Sequence, residues 1–240
     1  RIPTTTLSQA DSCVAVKNGM NLFGKKNYLG SFAAPWGVVI DPDLLTTLSD
    51  RDWRSGFSEA VKVALIKDRA FFEWLEAHAS AIKGRKSEAD HAIYRSAELH
   101  LHHIADGGDP FELTEARPLD FGHWAAHRLE ALSDFSLRHG EAVAIGIAID
   151  AEYSQAADLL SEVDRDRVLT CLTTLGFALS HPAMDDADAL FAGIDEFREH
   201  LGGRLTLAML RGLGDGFDVH EIDRTLMIRS IRRIAGLPRD

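Results

Sequence analysis

The sequence predicts a mainly α protein: a helical body over residues 50–240, preceded by a short α/β segment over residues 1–49. Three observations predict it. From Ser49 onward, apolar residues recur at three- and four-residue spacing, the period of an amphipathic helix. Punctuating residues sit where helices should begin and end: Ser49 or Asp50 can cap the run GFSEAVKVALIKD, and Gly107-Gly108-Asp109-Pro110 stops the run 91–106. The first 49 residues lack this period and carry short β-like runs broken by glycine and proline.

In order, RIPTTT reads as a strand end, since Pro3 suits an edge or terminal position. SQADSCVAVKNG turns quickly, and FGKKNYLGSF is basic and glycine-punctuated. Val38–Asp41 (VVID) is a short buried-strand pattern ending at Pro42. Helices are expected from Ser49 or Asp50 through Gly56–Asp68, then over 69–83, 91–106, about 117–131, 139–160, 163–175 and 219–235. GRKSEAD is a polar connection and HPAMDDADA a loop. Leu205–Leu210 is the one later strand, closed by the glycine turn GLGDG, which lacks the spacing and context of a dinucleotide fingerprint.

Composition narrows the function classes. The chain has 240 residues, 45% of them hydrophobic, enough to bury a core. A net charge of −11 argues against nucleic acid and anionic membranes as partners. Cys13 and Cys171 show no paired spacing, as in a reduced, cytoplasmic protein. The longest nearly uncharged apolar run, Ala142–Ile149, is too short to span a bilayer, and no signal peptide is visible. The chain opens at Arg1 and reads as a piece of a longer protein or one whose N-terminus was removed.

The chemistry concentrates in FGHWAAHRLEALSDFSLRHGE, Phe121–Glu141. His123 and His127 are four apart and share one helix face, while His139 opens the next apolar run. A catalytic zinc takes about three protein ligands, usually histidines and a carboxylate. His123 and His139 supply two, and Glu59, inside an apolar helix near Lys62, is the carboxylate candidate. The alternative is a solvated glutamate and two ordinary histidines. His100, His102 and His103 form a second cluster. Asp11, Lys17, Lys26 and Asn27 crowd a region of tight turns that suits a phosphate-bearing ligand or a solvated loop.

Five ordered motifs, PTTTLSQADSCVAVKNGMN, GKKNYLGSF, SGFSEAVKVALIKDRAFFEWLE, FGHWAAHRLE and LRHGEAVAIGIA, resemble those of dehydroquinate synthase and the related sugar phosphate cyclases. The resemblance covers nearly the whole chain. It implies the helical C-terminal domain of that fold over 50–240, preceded over 1–49 by the end of an NAD-binding α/β domain. It implies conversion of a sugar phosphate to a carbocycle with loss of phosphate, using catalytic NAD and zinc or another divalent metal, in a homodimer. By position, Glu59, His123 and His139 fall on the metal ligands, and Thr4, Thr5, Asp11 and Lys26 on the edge of the NAD site. Lys17, Asn27 and His127 fall on groups holding the substrate phosphate, and Lys62 on a lysine that contacts substrate hydroxyls. The catalytic group is read as Lys62, Asp11, His127 and Asp120.

Several positions depart from the family pattern. His100 stands for a lysine that helps bind the substrate carboxylate, and Asp120 for an asparagine. An expected arginine is displaced: Ala116 occupies its place beside Arg117. Val14-Ala15-Val16-Lys17 replaces V-G-G-K, and Arg198 aligns loosely with a phosphate lysine. A second carboxylate about 4 Å from the substrate's own would cost roughly 4 kcal/mol at an effective dielectric near 20. These changes, together with the stretch GGDPFELTEARPLDFGHWAAHRLE, resemble the divergent EboD-like branch and lead to an expectation of a different sugar phosphate as substrate. Two rival readings stay open: a related NAD- and metal-dependent alcohol dehydrogenase, and a non-catalytic helical module binding metal or a partner.

Overall fold

The structure, a computed structural model, describes residues 1–22, 25–106, 118–200 and 204–238. Among these residues the chain is mainly helical. Ser49 Oγ accepts from the Asp52 N–H and starts α1 (Asp50–Ser55), which leads through Gly56 into α2 (Phe57–Lys67). Every residue of α2 from Phe57 to Ile66 is buried, so this helix belongs to the core on all sides. Asp68 caps the amphipathic α3 (Arg69–Lys83), and α4 (Glu88–Asp106) follows. The glycine-proline stop expected after α4 lies outside the described residues. A 3₁₀ turn, Pro118–Asp120, precedes α5 (His123–Leu132), and then come α6 (His139–Ala156), α7 (Glu162–Leu175), α8 (Ala187–His200) and α9 (Arg224–Ala235).

The central element is α6. It is buried without interruption from Ala142 to Ser154 and packs against α2, α5, α7 and α9. Its start is fixed by the Glu141 carboxylate, which accepts from the Arg138 N–H at 3.1 Å and from Arg51 Nε at 2.7 Å. The crossing of α5 over α6 is close. A Cβ at Gly146 would lie 2.0 Å from the carbonyl oxygen of Gly122, which itself sits at φ +76°. Gly146→Ala is therefore expected to lower stability by about 1–3 kcal/mol, read as a drop of roughly 5 °C in the thermal midpoint. An unchanged midpoint would mean that α5 moves away at no cost.

Two antiparallel hairpins flank the helices. β1 (Lys17–Leu22) pairs with β2 (Lys25–Phe32), placing Lys17 opposite Phe32 and Met20 opposite Leu29. β3 (Leu207–Gly212) pairs with β4 (Asp215–Val219), with Leu207 opposite Val219. Cys13 and Cys171 are both free and buried. No described helix is long and apolar enough to cross a membrane.

Several local expectations are corrected. RIPTTT is not a strand end. It leads into a π-helical turn, Ser8–Ser12, because Thr5 Oγ1 accepts from the Ser8 N–H and closes the chain locally. Val38–Asp41 is not a strand either. The Gln9 side chain takes the Asp41 carbonyl, and Asp41 then caps a 3₁₀ turn at Pro42–Leu45. Within the basic, glycine-punctuated stretch, Lys25–Phe32 forms β2. The segment read as the loop HPAMDDADA contains the start of α8, where Asp186 Oδ1 accepts from the Ala189 N–H. The last helix begins at Arg224, not Val219, because β4 runs to Val219 and Asp223 supplies the cap.

Candidate active site

Glu59 and Lys62 stand one turn apart on α2, and both are almost wholly buried. Two charges inside an apolar helix are tolerable only when paired. Lys62 Nζ lies 2.5 Å from Glu59 Oε2 and 4.0 Å from Asp11 Oδ1. Burial pulls the Lys62 pKa down, but Glu59 and Asp11 outweigh it and leave the ammonium more firmly charged than usual. Burial likewise pushes Glu59 up, and Lys62, His123 and His139 together bring its carboxyl well below the usual range.

Asp11 comes from the Ser8–Ser12 turn, far along the chain from α2. Polar side chains of that segment dock it. Thr6 Oγ1 donates to the Asp52 carbonyl and accepts from the Gly56 N–H, while Gln9 Nε2 donates to the carbonyls of Pro3 and Asp41. On the far side of Asp11, His100 of α4 is buried with Nδ1 2.8 Å from Asp11 Oδ1.

The two helix starts of α5 and α6 bring the imidazoles to Glu59. His139 Nε2 lies 3.3 Å and His123 Nε2 3.7 Å from Glu59 Oε1. His123 Nδ1 faces the Phe121 carbonyl at 3.2 Å. A carbonyl only accepts, so Nδ1 carries the hydrogen and Nε2 presents its lone pair toward Glu59. Burial, helped by the Lys62 charge, pushes the His123 pKa well below its usual value and keeps the ring neutral. His139 is held between two carboxylates, Glu59 at Nε2 and Glu130 at Nδ1, the latter at 3.4 Å. Burial would lower its pKa, but the neighbouring carboxylates, Glu130 first and then Glu59, raise it to about 9.

This donor set fits a divalent cation. One ligand atom each from Glu59, His123 and His139 lies within 4.8 Å of the others. Both Glu59 oxygens are buried yet make no well-directed hydrogen bond, although Lys62 touches one of them. A neutral imidazole lone pair, a second imidazole and an ionised carboxylate facing one point are the ligand types that zinc takes.

The other expected residues divide. Asp120 ends the Pro118–Asp120 turn half-buried, and its charge is felt at Lys62. His127 is exposed at the rim, its ring 6.0 Å from that of His139. Thr5 is half-buried and caps its own turn, while Thr4 is exposed. Arg198 is exposed on α8 and pairs with Asp195. The side chains of Lys17, Lys26 and Asn27, and Arg117 as a whole, lie outside the described residues. Glu130 was missed from sequence. It lies three residues after His127 on the same helix face, so the spacing H-x-x-x-H-x-x-E carried the signal. With His127 and His139 it forms a second group of converging donors.

Fold and site together define a class: a helical domain built on a glutamate–histidine–histidine set with a paired lysine beside it. Residues 1–55 match the family model described as 3-dehydroquinate synthase N-terminal, and residues 56–195 the one described as 3-dehydroquinate synthase C-terminal. The chain belongs to the 3-dehydroquinate synthase family. It is 34% identical over 239 residues to the 3-dehydroquinate synthase of Acidithiobacillus ferrooxidans (strain ATCC 53993 / BNL-5-31), covering 97% of this chain and 64% of the relative. It is 37% identical over 218 residues to that of Halorhodospira halophila (strain DSM 244 / SL1), covering 90% of this chain and 60% of the relative. The chain thus spans less than two thirds of the length of these relatives. Among solved structures, 2-epi-5-epi-valiolone synthase from Streptomyces hygroscopicus subsp. jinggangensis 5008, with NAD+ and Zn2+ bound, aligns with a TM-score of 0.91 at 29% identity. That alignment covers 98% of this chain and 65% of the other. A 2-deoxy-scyllo-inosose synthase complexed with carbaglucose-6-phosphate, NAD+ and Co2+ aligns with a TM-score of 0.80 at 23% identity, covering 97% of this chain and 66% of that one, and shares the fold. The mainly α expectation and the family resemblance both hold. These matches define the family and not a branch within it.

Proposed function

We propose that residues 50–240 form the metal- and substrate-binding domain, and residues 1–49 the end of an NAD-binding domain, of a sugar phosphate cyclase. The enzyme would convert a sugar phosphate to a carbocycle with release of phosphate. The observation that carries the reading is the convergence of Glu59, His123 and His139 on one point beside Lys62. The bound NAD+ and Zn2+ of the 29%-identical neighbour support the same two cofactors here. A divalent cation held by Glu59, His123 and His139 would supply Lewis acidity toward a substrate hydroxyl, and NAD a reversible hydride acceptor.

The chain's own side chains supply orientation and fixed charge. Lys62, kept charged by Glu59 and Asp11, presents N–H donors to substrate hydroxyls. His127 at the rim, with Lys17, Asn27 and Arg198, holds the phosphate. Thr4, Thr5, Asp11 and Lys26 are assigned to the edge of the NAD site. His100 and Asp120, and by position in the motif Arg117, are assigned to the part of the substrate that distinguishes family members. There the charges favour a substrate without a carboxylate. His100 is engaged by Asp11 at 2.8 Å, and Asp120 adds negative charge near Lys62. A homodimer is part of the reading.

The test is inorganic phosphate release by the full-length protein, with NAD and zinc, from the heptulosonate phosphate and from neutral heptulose and hexose phosphates. Release from a neutral sugar phosphate alone is the expected result. Release from the heptulosonate alone would make the activity that of the named relatives and overturn the charge reading. Turnover of NAD without phosphate release would instead indicate a dehydrogenase.

A further inference from the structure

We propose that Asp150 is a positioning residue for the metal set, fixing the start of α5, and with it His123, against α6. The proposal rests on reading Glu59, His123 and His139 as the ligands.

Asp150 lies on the same helix as His139 and is 1% exposed. Each of its oxygens accepts one hydrogen bond from the first residues of α5. Gly122 N–H donates to Oδ2 and Trp124 Nε1–H to Oδ1, both at 2.8 Å. These two donors flank His123 in the sequence. Gly122 is in the left-handed region and lies against the backbone of Gly146 and Ile147, so the turn that launches α5 is wedged into α6 as well as bonded to it. His123 Nδ1 reaches the Phe121 carbonyl two residues earlier, so the ring takes its direction from the same turn. The carboxylate therefore links the helix carrying one imidazole to the turn that aims the other.

Packing alone does not account for an acid here. No ion pair to Asp150 is found among the described residues, and burial pushes its pKa up to about 7 against the two hydrogen bonds that favour ionisation. An aliphatic side chain would fill the space without that penalty. It would also leave the Gly122 N–H, one of the unpaired donors of a helix start, without its acceptor. A buried acid that joins two ligand-bearing helices through paired hydrogen bonds is placed to order the ligands.

The test uses the full-length protein and the variants Asp150→Asn, Trp124→Phe and Glu59→Gln. Zinc affinity is read by chelator competition, ligand geometry from the visible absorption of the Co2+-loaded protein, and stability from the thermal midpoint. Asp150→Asn keeps the shape but turns an amide N–H toward one of the two donors. Its zinc affinity is expected to fall about 10–100-fold, the range for groups that orient metal ligands, with a changed cobalt spectrum. Trp124→Phe removes one bond and keeps the other, so a smaller fall is expected, and it decides the matter if Asp150→Asn does not fold. Unchanged zinc affinity and an unchanged cobalt spectrum, with only a shifted midpoint, overturn the proposal. Zinc binding that survives Glu59→Gln overturns the ligand assignment itself, and the proposal with it.

Discussion

Glu59→Gln is expected to abolish stoichiometric zinc binding and to lower the thermal midpoint of the metal-free protein by roughly 10 °C. The first effect follows from the ligand set. Glu59 is the only carboxylate among the three donors, and Gln offers a neutral carbonyl in place of an anion facing His123 and His139. Losing a ligand exceeds the 10–100-fold typical of groups one shell further out. The second effect is separate. Lys62 stays buried, and its nearest remaining carboxylate, Asp11, is 4.0 Å away. Breaking a buried pair by removing one partner costs about 3–5 kcal/mol, and each kcal/mol moves the midpoint of a protein this size by about 2–4 °C. Chelator competition and thermal unfolding with and without zinc read the two effects apart. Retention of tight zinc binding would overturn the Glu59–His123–His139 assignment and make the other converging group, His127, Glu130 and His139, the next to test.

Lys62→Met is expected to separate metal binding from turnover. It removes a positive charge 2.5 Å from a ligand carboxylate, so zinc affinity should stay level or rise about tenfold through relief of charge repulsion. Phosphate release should fall about 10²–10³-fold, the loss that follows removal of one preorganised donor from a water-excluded site. The side chain is only 4% exposed, and methionine fills similar volume. A parallel fall in zinc affinity would instead mean that Lys62 acts by holding Glu59 in place.

The elements that could be read from the sequence are those whose determinants are local. Ser49 caps α1, the three-to-four spacing of apolar residues marks α2, α3 and α7, and the glycine turn marks the end of β3. Glu59 could be singled out because a glutamate inside an apolar run must either face water or find a partner. The hairpin of β1 and β2 was hidden because its residues are polar and basic, and only cross-strand pairing makes them strands. α8 was hidden because its first residues, after Asp185 and Asp186, look like a loop until Asp186 is seen to cap them.

The sequence by itself determined the helical body and the family, and singled out Glu59, His123 and His139 as metal-ligand candidates, because period, caps and ordered motifs are properties of the chain alone. Only the tertiary structure decided how their charges pair. Asp11 meets both Lys62 and His100, Glu130 takes the second nitrogen of His139, and Asp150 reaches across to Gly122 and Trp124. A carboxylate on a helix reads the same in sequence whether water or an imidazole faces it. Which one does depends on where the next helix crosses, and that crossing is set by the close approach of Gly122 and Gly146 and by the burial of α6 on every side.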